Sequence, residues 1–218
     1  MPKIKRFDLL IAIYIFCVIA SELMGAKTFP LFQIFGLKLN ASVAIFVIPI
    51  IYLVNDIIVE VHGKERARSI VWSSLFVVAL LVGFSILATI LPPSARFAGS
   101  ERAYDDIFTK SIRISLASLM AFAFAEFLDI FIFSKLREKL GQKSLWLRTN
   151  ASNIIAQFFD TSIFMILAFY TIGKPFGDNL GFLLGLILPY WLLKSLMSIL
   201  ETPFVYLGVN WLKKEKKW

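Results

Sequence analysis

The chain has 218 residues, 58% of them hydrophobic, a mean hydropathy of +0.76 and a formal net charge of +8. So apolar a composition excludes an ordinary soluble domain, which is about 45–50% apolar. The apolar residues fall in blocks of roughly 20, the length that crosses a hydrocarbon core about 30 Å thick, and the basic residues fall between the blocks without the aromatic-interleaved stripe that nucleic-acid binding needs.

Six transmembrane helices are expected, over about 8–27, 41–61, 69–91, 111–133, 151–172 and 181–207, in one all-α polytopic domain covering 1–218. The first block, "MPKIKRFDLLIAIYIF", has the charge-then-apolar order of a signal peptide. Its apolar run continues to about residue 27 and five more blocks follow, so a retained first helix is favoured. The links are short and polar or turn-forming: "FQIFGLKLN", "HGKERARS", "PPSARFAGSERAYDDIFTK", "REKLGQKSLWLRTN" and "GKPFGDN". Cys17 is the only cysteine and reads as a small apolar helix residue. His62, the only histidine, sits beside Gly63 at a segment end and reads as solvated.

Most of the 23 Lys and Arg residues lie before the first block, between blocks two and three, between four and five, and after the last. Basic residues mark cytoplasmic loops, so both termini are expected in the cytoplasm, in agreement with an even number of spans. Pro49, Pro189 and Pro203 fall inside expected spans. Each removes an intrahelical bond and invites a kink, and Pro49, seven residues before Asp56, suggests a discontinuous helix near a site.

The apolar blocks carry charges that lipid does not accept. Glu22 lies in the first, Asp56 and Glu60 in the second, Glu126 and Asp129 in the fourth, Asp160 in the fifth, Lys194 and Glu201 in the sixth. Facing lipid, these eight groups would cost roughly 20–28 kcal/mol on insertion scales. They must face one another, water or a ligand. Their spacing agrees: Asp56 and Glu60 are i,i+4; Glu126 and Asp129 are i,i+3; Asn150, Asn153, Gln157 and Asp160 form one stripe; Lys194, Ser198 and Glu201 form another. Residues so spaced share a helix face, so four polar faces are expected to meet in one interior. With cytoplasmic termini, Asp160 and Lys194 fall near mid-membrane, and Asp56 and Glu60 near the cytoplasmic mouth. Glu60 has a simpler alternative, an end-of-span pair with Lys64. Metalloprotease, serine-hydrolase and nucleotide-binding P-loop motifs are absent, so no enzyme, cofactor or metal is expected.

Three blocks carry a family resemblance: "YLVNDIIVEVHGKERAR" from Tyr52, "AEFLDIFIFSKLREK" from Ala125, and "LWLRTNASNIIAQFFDTSIFMILAFY" from Leu145. Together they resemble the queuosine precursor transporters, the vitamin-uptake-transporter-like family, over about residues 20–207. The resemblance implies a six-helix bacterial inner-membrane carrier, similar to the substrate-binding components of energy-coupling-factor transporters but acting alone. Its cargo would be a 7-deazaguanine base: preQ0, preQ1 or queuine. By matched position it points to Asp56, Asp129, Asp160 and Lys194, then Asn55 and Gln157. Glu126 stands where a glutamine is common, and Glu22 beside Ser21 departs from the pattern.

The chemistry fits such a base. A carboxylate from Asp129 or Glu126 can accept its ring N–H and exocyclic amine together. Lys194 or an amide such as Asn153 can donate to its carbonyl, and an aromatic ring can stack on its face. Asp160 with Lys194 would form a midplane pair anchoring substrate or a proton, with Glu60, Asp160 and Glu201 as the candidates for proton coupling. The alternative is a substrate-binding subunit of an ATP-driven vitamin or nucleobase importer. Docking on such a module often uses small residues four apart on the first helix. Here Ala12 is followed by Phe16 and Ala20 by Met24.

Overall fold

The computed structural model of the protein describes residues 5–34, 36–140, 145–200 and 202–213. In chain order these form α1 (Arg6–Met24), a hairpin of β1 (Thr28–Ile34) and β2 (Leu37–Ser42), a 3-10 turn (Val43–Phe46), α2 (Ile48–His62), α3 (Lys64–Ile90), α4 (Glu101–Leu140), α5 (Leu145–Phe169), α6 (Phe176–Leu200) and α7 (Thr202–Lys213). Five described helical segments are long and apolar enough to cross a membrane: Arg6–Met24, Val43–His62, Glu65–Ile90, Glu101–Ala125 and Phe176–Leu196. Ile154–Phe169 of α5 is a shorter apolar helix. This is an all-α, multi-pass membrane fold, in which helices satisfy every backbone group within the segment.

The elements depart from the expected spans where local chemistry explains it. Pro49 sits in the first turn of α2 rather than inside a helix. A first-turn N–H has no intrahelical partner, so proline costs nothing there. The second span is therefore a 3-10 turn followed by a new helix. Pro189 stays inside its helix. Gly63, with φ +84°, separates α2 from α3 at the HGK link. Helix α4 starts ten residues before the expected span because "ERAYDDIFTK" is rich in helix formers and places Glu101 in the first turn, where the helix dipole favours an acid. Its 40 residues make about 60 Å, twice the hydrocarbon thickness.

The link after α1 holds the largest surprise. "TFPLFQIFGLKLNAS" folds as a two-stranded hairpin. Gly36 adopts φ +81°, the left-handed conformation that a two-residue connection needs. At the hairpin base the Val43 N–H donates to the Lys27 carbonyl at 2.9 Å. The Ser42 hydroxyl donates to the Gly25 carbonyl at 2.6 Å and accepts from the Ala44 N–H at 3.1 Å.

Two compact units make up the chain. One comprises Met1–Thr28, Ser42–Ser115 and Leu196–Trp218. Its core joins Leu10 and Tyr14 of α1, Val54, Ile57 and Ile58 of α2, Ala67 and Ile70 of α3, and Val209 and Leu212 of α7. Gly208 lets α7 approach α2 so closely that a methyl group there would overlap the Ile57 side chain. Small residues at such crossings let membrane helices gain packing energy without a hydrophobic drive. The Ser111 hydroxyl donates to the Leu23 carbonyl at 2.8 Å, tying the start of α4 to the end of α1. Arg6 donates to the Trp211 carbonyl and lies over its ring, 5.2 Å from the centroid.

The second unit comprises Phe29–Ala41 and Leu116–Ser195, so the hairpin belongs with α5, α6 and the later part of α4. Strand β2 lies against α6 at Gly185, where a Cβ would collide with the Lys38 carbonyl oxygen. Gly185 is nine residues inside α6, about 14 Å along its axis and in the middle of a candidate membrane span. Non-helical backbone at such depth is tolerated only against protein or a water-filled cavity. Gly185→Val should therefore push the hairpin off the helix, at an overpacking cost of about 1–3 kcal/mol. The check is labelling of a Lys38→Cys probe by an impermeant maleimide, in a background whose native Cys17 is buried. Labelling should become several-fold faster with the valine, and an unchanged rate would refute the contact.

Candidate substrate-binding site

The polar stripe expected on α5 meets α6 at one well-defined point. Lys194 Nζ donates to Asp160 Oδ2 at 2.6 Å, with 11% and 27% of the two side chains exposed. Helix α5 buries Ala156 and Met165, and α6 buries Leu183, Leu186, Ile187 and Tyr190. In such surroundings the attraction between the charges is several-fold stronger than in water. Removing one partner leaves the other charge without compensation. Gln157, nearly one turn before Asp160 on the same helix, is half-buried.

Two polar atoms beside the pair have no hydrogen-bond partner among the described residues. They are the Trp191 indole nitrogen and the Thr161 hydroxyl, both buried. Thr161 follows Asp160 on α5, with 2% of its surface exposed. Trp191 precedes Lys194 by three positions on α6, on the same helix face. Its ring meets the Phe158 ring edge-on, with centroids 5.6 Å apart and an interplanar angle of 81°. The sequence reading missed both residues. The usable signal was spacing: Trp191 is one turn from Lys194, and Thr161 adjoins Asp160.

The other expected site residues are distributed as follows. Asn55 is half-buried and Asp56 and Glu60 are exposed, all on α2 in the first unit. Glu126 and Asp129 lie on α4 and Asn153 on α5, with side chains outside the described residues. Glu201 also lies outside them. Glu22 is 6% exposed within α1. His62, read as solvated, is half-buried instead and stacks on Phe7, with ring centroids 4.1 Å apart. It closes α2, so an aromatic contact takes the place of solvent.

At the turn that joins this helix pair Asn179 acts as a clamp. It is 3% exposed. Its side-chain oxygen accepts from the Thr171 N–H at 3.0 Å, and its amide donates to the carbonyls of Thr171 at 3.0 Å and Lys174 at 3.2 Å. One side chain thus ties the α5–α6 turn together.

These features define a multi-pass membrane protein with an ion pair and unused polar atoms enclosed between two of its helices. Comparison with known proteins places it further. A family model described as "Putative vitamin uptake transporter" matches residues 42–208. The chain belongs to the vitamin uptake transporter family. It is similar to a Bacillus subtilis protein named "Probable queuosine precursor transporter", with 28% identity over 203 residues, 93% of this chain and 84% of the relative. A Haemophilus influenzae protein of the same name is 33% identical over 129 residues, 59% of this chain and 52% of that protein. The Escherichia coli "Queuosine precursor transporter" is 31% identical over 125 residues, 57% of this chain and 53% of that protein. No solved structure matches the chain.

Proposed function

We propose that the protein imports a 7-deazaguanine precursor of queuosine (preQ0, preQ1 or queuine) into the cytoplasm across the bacterial inner membrane. The observation that carries this reading is the enclosed Asp160–Lys194 pair in a chain whose named relatives are queuosine precursor transporters. An intramembrane charge is retained where a polar cargo or a proton needs it. An ammonium is a multiple N–H donor, and a base carbonyl is a suitable acceptor for Lys194. Asp129 or Glu126 accepts the two donors on the base edge in bidentate fashion. Gln157 and Asn153 add amide contacts from α5. The whole chain acts as one transport domain, with both termini in the cytoplasm on the argument from basic loops. It works without an ATPase module, since its first helix lacks the small-residue stripe that docking uses.

The decisive assay is uptake of tritiated preQ1 by cells unable to make the base, with unlabelled preQ0, preQ1 and queuine as competitors. Uptake should depend on the protein and be suppressed by at least one competitor. Asp129→Asn should lower uptake by about 100-fold, the loss expected when a charged acceptor of two hydrogen bonds is neutralised. The membrane level of the variant should equal that of the parent. Undiminished uptake would remove Asp129 from the site.

A further inference from the structure

The buried Trp191 indole nitrogen and Thr161 hydroxyl lack protein partners among the described residues. Burying a polar atom without a hydrogen bond costs free energy, so a helix pair that keeps two of them suits a guest that supplies the missing atoms. Helical geometry places Thr161 between the two contacts that join α5 to α6. It lies about 60° around α5 from Phe158, which meets Trp191, and about 100° from Asp160, which meets Lys194. The two atoms differ in kind. An indole N–H only donates, whereas a hydroxyl both donates and accepts.

A 7-deazaguanine base offers two edges. The edge with the ring N–H and exocyclic amine suits a carboxylate, and the carbonyl beside it suits Lys194. The opposite edge holds a ring nitrogen that accepts and, next to it, the pyrrole N–H that donates. A donor-only group beside a hydroxyl complements that edge. We propose that Trp191 donates to this ring nitrogen and Thr161 accepts from the pyrrole N–H, so that the site takes the free base and rejects its nucleoside. In a nucleoside the pyrrole nitrogen carries the sugar. It then has no proton for Thr161, and the sugar occupies the space where the two side chains meet the base. The inference rests on the proposed transport of a 7-deazaguanine base and adds its specificity.

The test compares two unlabelled competitors against tritiated preQ1 uptake: 7-deazaguanine, and the same base methylated on its pyrrole nitrogen. The parent protein, Thr161→Val and Trp191→Phe are compared at matched membrane levels. With the parent protein the methylated base should compete about tenfold more weakly than the free base, the loss expected when a buried hydrogen bond is broken. Thr161→Val keeps the shape and removes the hydroxyl. It should weaken the free base by about tenfold and leave the methylated base unchanged, closing the gap. Trp191→Phe keeps the ring against Phe158, removes the donor, and should weaken both competitors about equally.

Equal competition by the two bases in the parent protein would overturn the inference. So would a parallel loss for both in Thr161→Val, which marks a structural effect, or full competition by both in Trp191→Phe. In each of those results the parent still transports preQ1 and the proposed function stands. Absence of preQ1 uptake by the parent would overturn the function and this inference together.

Discussion

Lys194→Met is expected to reduce uptake by roughly 30-fold or more. That follows from the about 2–5 kcal/mol lost when one member of a desolvated, hydrogen-bonded charge pair is truncated. The same substitution should lower the amount of folded protein, because Asp160 is left in an apolar interface with 27% of its side chain exposed. Breaking a fully buried pair costs about 3–5 kcal/mol, and this partial exposure puts the cost toward the lower end. The two effects separate in the double variant Asp160→Asn with Lys194→Met. Neutralising both partners removes the stranded charge, so membrane level and melting temperature should recover. Uptake should not, because the ammonium proposed to meet the cargo is gone. Recovery of uptake in the double variant would falsify a substrate role and leave the pair a structural fixture.

Asn179→Asp is the second substitution with a large expected effect. It changes one atom in the clamp on the α5–α6 turn. The acceptor for the Thr171 N–H survives, but the amide that donates to the carbonyls of Thr171 and Lys174 becomes a carboxylate oxygen facing them. Two bonds are lost, and oxygens oppose each other inside a residue that is 3% exposed. With about 1–3 kcal/mol for each buried group left unsatisfied, a loss of roughly 2–4 kcal/mol in stability is expected. A detergent melt reads the destabilisation, and an unaltered melt would show that solvent reaches the turn.

Much of this architecture was legible in the residues, for physical reasons that also mark where legibility stopped. Spans appeared because lipid demands about 20 apolar residues in a row, a strong signal. The Asp160–Lys194 encounter was legible because a charge in a span needs a partner and these two fell at equal depth. The hairpin was not. Its strands are seven and six residues long. Pro30 interrupts the first, and alternation over so few positions cannot be told from a loop. The start of α4 was misplaced because "ERAYDDIFTK" is polar, and hydropathy marks only the part of a helix that lipid touches. Trp191 and Thr161 escaped because an aromatic ring and a small hydroxyl in a membrane helix look like filling. Only burial without a partner sets them apart.

The hairpin also has a history imposed by the order of synthesis. Residues 29–41 leave the ribosome early, yet their resting place on α6 does not exist until Gly185 has been made. At about 5–20 residues per second, the intervening stretch takes roughly 7–30 s to translate. Throughout that interval the two strands have no wall to lean on, and their outer edges must keep company with water. Seating them is therefore a late act of assembly, postponed until α6 has been made.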